Sequence, residues 1–168
     1  MEKEVSIKRS LNEISLLKRL LTKITSIDSS VKAVLLFGSM ARGEVTERSD
    51  VDLLVLHDSC GIEDPVLRRR RFYHLVHEAL RNRYEDLTVL DMKLNQFLKP
   101  KEITPLLLNL YWDAKVIIDE TGKIEKFLEY TRRRILKSGL SREKDGRNYY
   151  WKLPQPMTEV SIFEPESP

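Results

Sequence analysis

Hydrophobic residues along the chain follow two spacings, one typical of helices and one typical of buried strands. From residue 4 to about residue 26 they recur every three or four positions, which predicts an amphipathic helix carrying Ile7, Leu11, Ile14, Leu17, Leu21 and Ile24. Short apolar runs predict strands at 31–37, 51–57, 86–94 and 116–119. Helical patterns occupy 65–83, 101–115 and 121–139. This order predicts an α/β or α+β fold in which helices cover a small sheet.

The same pattern divides the chain into four segments. Residues 1–30 are expected to form an N-terminal helix that packs on a main domain at 31–120. A C-terminal helix and a docked extension are expected at 121–153. Four of the seven prolines lie after residue 140, and no sustained periodicity is present there. Residues 154–168 are therefore predicted to be an irregular tail.

Composition narrows the functional classes. The only cysteine is Cys60, so an intrachain disulfide cannot form, and a reducing, cytoplasmic setting is expected. No apolar run reaches the roughly 18 residues that a membrane-spanning helix needs. Charged residues make up 33% of the chain, against an average of roughly 25%, which resembles the composition of thermophile proteins. The net charge of +3 is too small to favour a nucleic-acid partner by itself.

Two carboxylates stand at the entrance of the predicted strand 51–57. Asp50 and Asp52 are two positions apart, so on a strand they point to the same face, roughly 6.5 Å from each other. Ionised carboxylates this close destabilise a fold unless a cation neutralises them. Oxygen ligands favour Mg²⁺ or Mn²⁺, and Mg²⁺ commonly takes one or two carboxylates while phosphates complete its octahedron. A divalent metal site is therefore predicted here.

A small-residue turn precedes these carboxylates. Gly38 has no Cβ and lets the backbone approach an anion, while Ser39 offers a hydroxyl and an N–H group. A helix that began near Ser39 would add N–H groups with a favourable dipole. Arg42, on the next turn, could make a forked contact with phosphate. The segment therefore predicts a phosphate site beside the metal site.

A third carboxylate is expected on a neighbouring strand, because transfer of a phosphoryl group through two metals usually requires one. Asp86 is the first candidate, since it opens the strand 86–94 as Asp50 and Asp52 open theirs. Asp91, between Leu90 and Met92, is the alternative. Glu85 is a more distant third candidate.

The segment FGSMARGEVTERSDVDLLV resembles the minimal, archaeal and bacterial members of the nucleotidyltransferase superfamily of DNA polymerase β. The match is Gly38-Ser39, ten further residues, and Asp50-x-Asp52 at a strand. The resemblance implies a small mixed sheet flanked by helices, with a nucleoside triphosphate and two Mg²⁺ ions at its open edge. It further implies that Gly38 and Ser39 hold the β- and γ-phosphates.

The same resemblance assigns further roles and an activity. It implies that Asp50 and Asp52 bind the metals, and that the third carboxylate, Asp86 or alternatively Asp91, binds the catalytic metal near the acceptor. Arg42 and Ser49 would support the site. The implied reaction transfers a nucleoside monophosphate to an acceptor and releases pyrophosphate, and AMP from ATP is the expected donor group. Some minimal members resemble antitoxins instead. The alternative is therefore an antitoxin or binding subunit that acts by forming a complex with a HEPN-type protein partner.

Three other clusters have simpler explanations. The arginines at 68–71 can pair with Glu63 and Asp64, although an acidic partner or RNA would also attract them. His74 and His77 lie three residues apart on a predicted helix, with no evident third metal ligand. The aromatic residues at 149–151 are better explained as an anchor for the extension than as a surface that stacks on bases.

Overall fold

The computed structural model describes residues 2–45, 50–81, 83–146, 148–156 and 159–163. Its centre is a four-stranded mixed sheet in the order β3-β2-β1-β4. The strands are β1 (Val31–Phe37), β2 (Val51–His57), β3 (Leu87–Lys93) and β4 (Lys115–Asp119). β1 runs antiparallel to β2 and β4, while β2 and β3 are parallel. The predicted mixed sheet flanked by helices is therefore confirmed.

Helices cover both faces of this sheet. They are α1 (Glu2–Leu21), α2 (Ile24–Ile27), α3 (Gly38–Ala41), α4 (Pro65–Ala79), α5 (Leu94–Leu98), α6 (Pro105–Asp113) and α7 (Ile124–Lys137). One core lies between the sheet and α1, α2 and α4, and it contains Leu53 and Val55 of β2. The other lies against α5, α6 and α7, and it contains Leu54 and Leu56. Because side chains alternate along a strand, the even-numbered residues of β2 face α5–α7.

Local sequence explains where α4 and α6 begin and where α4 ends. Asp64 caps α4 by accepting hydrogen bonds from two backbone N–H groups, and Pro65 fills the first position. α6 begins in the same way, with Thr104 as the cap and a proline first. α4 ends at Ala79, earlier than the predicted residue 83, because Arg81 adopts a left-handed conformation with φ 56°.

The apolar stripe of α1 is buried only in its C-terminal half. Leu17 and Leu21 are fully buried, whereas Ile7 and Leu11 are exposed. The single helix predicted for residues 4–26 is also interrupted, because α2 begins a separate turn at Ile24. The N-terminal half of α1 therefore extends beyond the core, and its polar side chains contact the turn after β1.

The region after α7 contains a hairpin that the sequence analysis does not predict. β5 (Ser141–Asp145) and β6 (Asn148–Lys152) pair antiparallel in a second, two-stranded sheet. Beyond them, the described part of 154–163 contains no helix or strand, yet Ile162 is buried against the α6–α7 core. Across the described residues, none of the helices combines the length and apolarity needed to cross a membrane. The four-segment division of the chain stays a prediction.

Candidate functional site

The turn after β1 meets the carboxylate of Asp52 at one edge of the sheet. Phe37, the last residue of β1, pairs with Asp52, so Gly38 follows directly beside it. Gly38 has φ +73°, and a Cβ added there would lie 2.1 Å from Oδ2 of Asp52. The carboxylate thus occupies the space that any other residue's side chain would need. The two halves of the predicted site are in contact.

Asp52 is a poorly stabilised anion in this position. Burial raises the pKa of its carboxyl group, and the charge on Asp50 adds to the rise. A hydrogen bond from Thr88 and the positive charge of Arg42 oppose the rise without cancelling it. Asp50, just before β2, is exposed. A divalent cation bound by Asp50 and Asp52 would remove the repulsion between them.

Thr88 is a neighbour of Asp52 that the sequence analysis missed. It is paired with Asp52 across the parallel strands β2 and β3, so both side chains point to the α5–α7 side. Only the register identifies it, because a threonine inside a strand carries no signal of function. Its hydrogen bond acts to lower the pKa of the Asp52 carboxyl group, against the effect of burial.

The candidates for the third carboxylate lie in different places. The backbone carbonyl of Asp86 accepts from Val51 N–H at 3.1 Å, so Asp86 lies level with Asp50 at the entrance of the parallel pair. Asp91 pairs with Val55 and therefore faces the opposite side of the sheet, towards α4. There its buried carboxylate contacts Arg68 at 2.6 Å. Glu85, the distant candidate, is exposed just before β3.

Within the described part of the chain, no three histidine, cysteine, aspartate or glutamate side chains form a group that could hold a metal ion. Asp50, Asp52 and Asp86 therefore do not converge as they stand. Asp50 and Asp52 alone suit one Mg²⁺ ion, since Mg²⁺ commonly takes one or two protein carboxylates and completes its shell with phosphates and water. The residues present fit one such ion more readily than two.

Arg42 lies where α3 ends, four residues after Gly38. Its Nε donates to Glu44 at 2.9 Å, and its Nη1 donates to Asp113 at 3.3 Å. Asp113, at the end of α6, is 7% exposed and also accepts two bonds of 2.6 Å from Arg142 of β5. Arg42 is therefore held by Glu44, two residues along the chain, and by Asp113 of α6.

Helix α1 and the C-terminal hairpin both bond to the short segment from Met40 to Glu44. From α1, Ser10 donates to the carbonyl of Met40 at 2.7 Å, and Ser6 donates to that of Gly43 at 2.5 Å. From the hairpin, Lys144 donates to Glu44 at 2.8 Å, and the Tyr149 hydroxyl donates to the same carboxylate. Burial disfavours the Glu44 anion, but these bonds and that from Arg42 outweigh it and lower its pKa to about 2.

An open cavity of about 550 Å³ lies between this chain segment, α6, α7 and the hairpin. Its lining combines charged and aromatic groups, including Arg42, Asp113, Arg142, Tyr149 and Trp151. The Arg142 guanidinium lies 4.1 Å from the centre of the Tyr149 ring, and Trp151 donates to Asn109 at 3.0 Å. The predicted anchoring role of these aromatic residues agrees with their contacts.

The remaining predicted features are the arginine and histidine clusters, Ser49 and the helix after β1. Arg68 and Arg71 pair with Asp91 and Asp28, not with Glu63 and Asp64 as expected. His77 stacks on Tyr73, with ring centres 5.5 Å apart. Ser49 lies in 46–49, outside the described residues. The predicted helix begins at Gly38 but has only four residues, so it contributes little dipole and mainly supplies free N–H groups.

Comparison with known proteins identifies the family to which the sequence is similar. Residues 17–140 match the family described as nucleotidyltransferase domain. MJ1379 of Methanocaldococcus jannaschii, provisionally named a protein adenylyltransferase, is 46% identical over 50 residues, which are 30% of this chain and 50% of that protein. The match thus spans half the length of this relative.

Solved structures also resemble the chain. A provisionally named nucleotidyltransferase from Sulfolobus solfataricus is 19% identical, with a TM-score of 0.44, over 66% of this chain and 84% of its own. A toxin-antitoxin structure with AMP-PNP is 18% identical, with a TM-score of 0.47, over 73% of this chain and 89% of its own. The family match itself covers well over half of the residues and includes the Gly38-Ser39 turn, Asp50 and Asp52. The sequence-based prediction is confirmed, and the chain belongs to the nucleotidyltransferase domain family.

Proposed function

We propose that this protein transfers a nucleoside monophosphate, AMP from ATP, to an acceptor hydroxyl in the presence of Mg²⁺. One observation carries the proposal, namely the contact between the Gly38 turn and the Asp52 carboxylate. This contact puts a backbone that an anion can approach beside a carboxylate that needs a cation. A metal-bound triphosphate supplies both the anion for the backbone and the cation for the carboxylate.

Each residue has a role in this proposal. Gly38 and Ser39 bind the β- and γ-phosphates through backbone N–H groups and the Ser39 hydroxyl. Asp50 and Asp52 hold Mg²⁺ or Mn²⁺, and Arg42 and Ser49 support the site. When bound, the metal stabilises the negative charge that develops on the phosphate oxygens.

The reaction exchanges one phosphorus–oxygen bond for another. The acceptor oxygen forms a bond to the α-phosphorus, and the bond from that phosphorus to the bridging oxygen of the β-phosphate breaks. Pyrophosphate leaves, and the acceptor proton passes to a nearby carboxylate or to water. Asp86 is the proposed carboxylate, because it lies level with Asp50, whereas Asp91 faces α4 and is ion-paired there.

Transfer of the α-phosphate label tests this function. ATP labelled at the α-phosphate is incubated with Mg²⁺ and a panel of hydroxyl-bearing acceptors, and labelled products are separated by mass. The Asp50→Asn, Asp52→Asn double variant should lose transfer. Asp58→Asn, at the exposed far end of β2, is the matched control and should retain it. A double variant as active as the parent refutes the assignment.

A second candidate is a subunit that binds nucleotide without transferring it. The observation that favours it is the lack, among the described side chains, of a three-carboxylate group at the sheet edge. In that case Mg-ATP binds the parent and no acceptor receives the label. A HEPN-type protein partner for such a subunit stays a prediction.

A further inference from the structure

The C-terminal hairpin contacts the candidate site through charged side chains. Arg142 of β5 makes two bonds of 2.6 Å to Asp113, and Lys144 makes a bond of 2.8 Å to Glu44. Asp113 and Glu44 are the two carboxylates that hold Arg42. The hairpin therefore reaches Arg42 through both of its partners.

Charge balance shows what these contacts change. Without the hairpin, the residues joined by ion pairs in this group are Arg42, as its one cation, and the carboxylates of Glu44 and Asp113. The group then has a net charge of about −1, which repels a triphosphate. Arg142 and Lys144 add two cations, so the net charge becomes about +1. The sign of the group depends on the hairpin.

Geometry leaves part of the Arg42 guanidinium available. Its bond to Asp113 is 3.3 Å long, because Arg142 already occupies that carboxylate with two shorter bonds. Among the contacts of the described residues, Nη2 of Arg42 takes part in no hydrogen bond. If Arg142 were removed, Asp113 would draw Arg42 into a closer pair. Arg142 therefore holds Arg42 in a position where two donors remain for an anion.

The Tyr149 ring completes the arrangement. Its centre lies 4.7 Å from Arg42 and 4.1 Å from Arg142, so the ring interacts favourably with both cations. Its hydroxyl also donates to Glu44. Tyr149 thus contacts Arg42 and one of the two carboxylates that hold it.

We infer that the C-terminal hairpin forms part of the nucleotide site. Arg142 and Lys144 supply the positive charge that attracts the triphosphate, and Arg142 also positions Arg42. This inference rests on the proposed function. Arg142 and Lys144 are positioning residues, since they act on the nucleotide through Arg42 and through the field of the cluster. The hairpin serves this role as well as anchoring the chain end.

Binding of Mg-ATP to the full chain tests the inference by calorimetric titration. Arg142→Gln should raise the dissociation constant about 10-fold, because Asp113 would then draw Arg42 into a closer pair and one charge-assisted contact of Arg42 with the triphosphate would be lost. Lys144→Gln should raise it about 3-fold, since Lys144 is half exposed and screened by solvent. Both effects should shrink as salt is raised from 50 to about 300 mM.

Two variants separate charge, position and folding. Arg142→Lys keeps the charge without the fork to Asp113, so its dissociation constant should fall between those of the parent and Arg142→Gln. Lys152→Gln removes a cation from the same hairpin, where Lys152 lies 3.5 Å from Glu143, and should leave binding unchanged. If Arg142→Gln does not fold, the exposed Lys144→Gln still decides the test.

Equal affinity of the parent, Arg142→Gln and Lys144→Gln overturns the inference, as does an equal loss in Lys152→Gln. The proposed function fails in a different way, because a parent that binds Mg-ATP but never transfers the label contradicts transfer and leaves the binding comparison intact.

Discussion

Replacing Gly38 with alanine adds one methyl group at the point where the turn after β1 meets Asp52. An added Cβ would lie 2.1 Å from Oδ2 and 3.0 Å from Cγ of Asp52, far inside the normal contact distance. The backbone φ of +73° is also unfavourable for alanine. The substitution therefore imposes both backbone strain and a displacement of the carboxylate that we propose binds metal.

The expected loss of stability combines two terms. A left-handed conformation costs alanine about 1 kcal/mol relative to glycine. Making room for an atom in a filled space costs about 1–3 kcal/mol. Gly38→Ala should therefore lower the free energy of unfolding by about 2–4 kcal/mol. Gly61 provides the matched control, because its φ is +72° and no atom lies within 4 Å of an added Cβ. Gly61→Ala should cost only about 1 kcal/mol.

Urea denaturation of the metal-free protein at pH 7 measures both losses. A titration with Mg-ATP then measures the effect on the site, where displacement of Asp52 should weaken binding about 10- to 100-fold. Gly61→Ala should bind Mg-ATP as the parent does. In an Asp52→Ala background only the Cβ of residue 52 remains close to the added Cβ, at 3.3 Å, so Gly38→Ala should cost little more than the backbone term of about 1 kcal/mol.

Equal losses for Gly38→Ala and Gly61→Ala would refute the reasoning. So would a loss for Gly38→Ala that is the same in the parent and in the Asp52→Ala background. Either result would mean that the carboxylate of Asp52 does not occupy the space beside Gly38.

Three further predictions follow from burial and charge. Asp52→Asn should raise the free energy of unfolding of the metal-free protein by up to about 1 kcal/mol at pH 7, because burial and a like charge raise the pKa of Asp52; a loss in urea denaturation would contradict this. Burial lowers the pKa of His57 in the fold, so stability should be complete above its unfolded value of about 6.5 and should fall at lower pH by at most about 1.4 kcal/mol per pH unit. His57→Leu should remove that part of the slope, and identical slopes would disprove the assignment. Asp91→Asn should cost about 3 kcal/mol because it leaves Arg68 unpaired, yet it should leave transfer intact, whereas Asp86→Asn should do the reverse; opposite results would restore Asp91 as the third carboxylate.

Local signals were sufficient to predict the sheet and most helices. The apolar runs of β1 and β2 are continuous because helices cover both faces of these two central strands, so side chains pointing either way are buried. The predicted start of α4 at residue 65 is confirmed, whereas the helix predicted from residue 101 begins only at Pro105, after the cap Thr104. The Gly38-Ser39 and Asp50-x-Asp52 pattern is also local, because its first half directly follows β1 and its second half opens β2, the next strand along the chain and the antiparallel neighbour of β1.

Features that depend on distant contacts were not predicted. β5 has the sequence SREKD, in which every residue is polar, so no hydrophobic alternation marks it. Its position depends on Arg142 and Lys144 finding Asp113 and Glu44, which are 29 and 100 residues away. One local signal was available, since glycine is favoured in tight hairpin turns and Gly146, with φ +58°, directly follows β5.

The register of parallel strands explains the remaining misses. Asp86 and Asp91 are an odd number of positions apart, so alternation along an extended chain puts them on opposite faces, but only the pairing of β2 with β3 shows which of them lies on the face of Asp52. The same pairing puts Thr88 beside Asp52. Because a shift of one residue would exchange the faces, sequence alone could not choose between these residues.

Metal binding measured with and without nucleotide tests the central claim most directly, namely that the Gly38 turn and the two aspartates form one Mg-nucleotide site. Mn²⁺ is titrated into the protein and followed by electron paramagnetic resonance, alone and with a non-hydrolysable ATP analogue. We expect the analogue to raise the affinity for Mn²⁺ at least about 10-fold, and Mn²⁺ to raise the affinity for the analogue by the same factor. Asp58→Asn should preserve this coupling, and the Asp50→Asn, Asp52→Asn double variant should abolish it. Independent binding of Mn²⁺ and nucleotide, or coupling that survives in the double variant, would contradict the account.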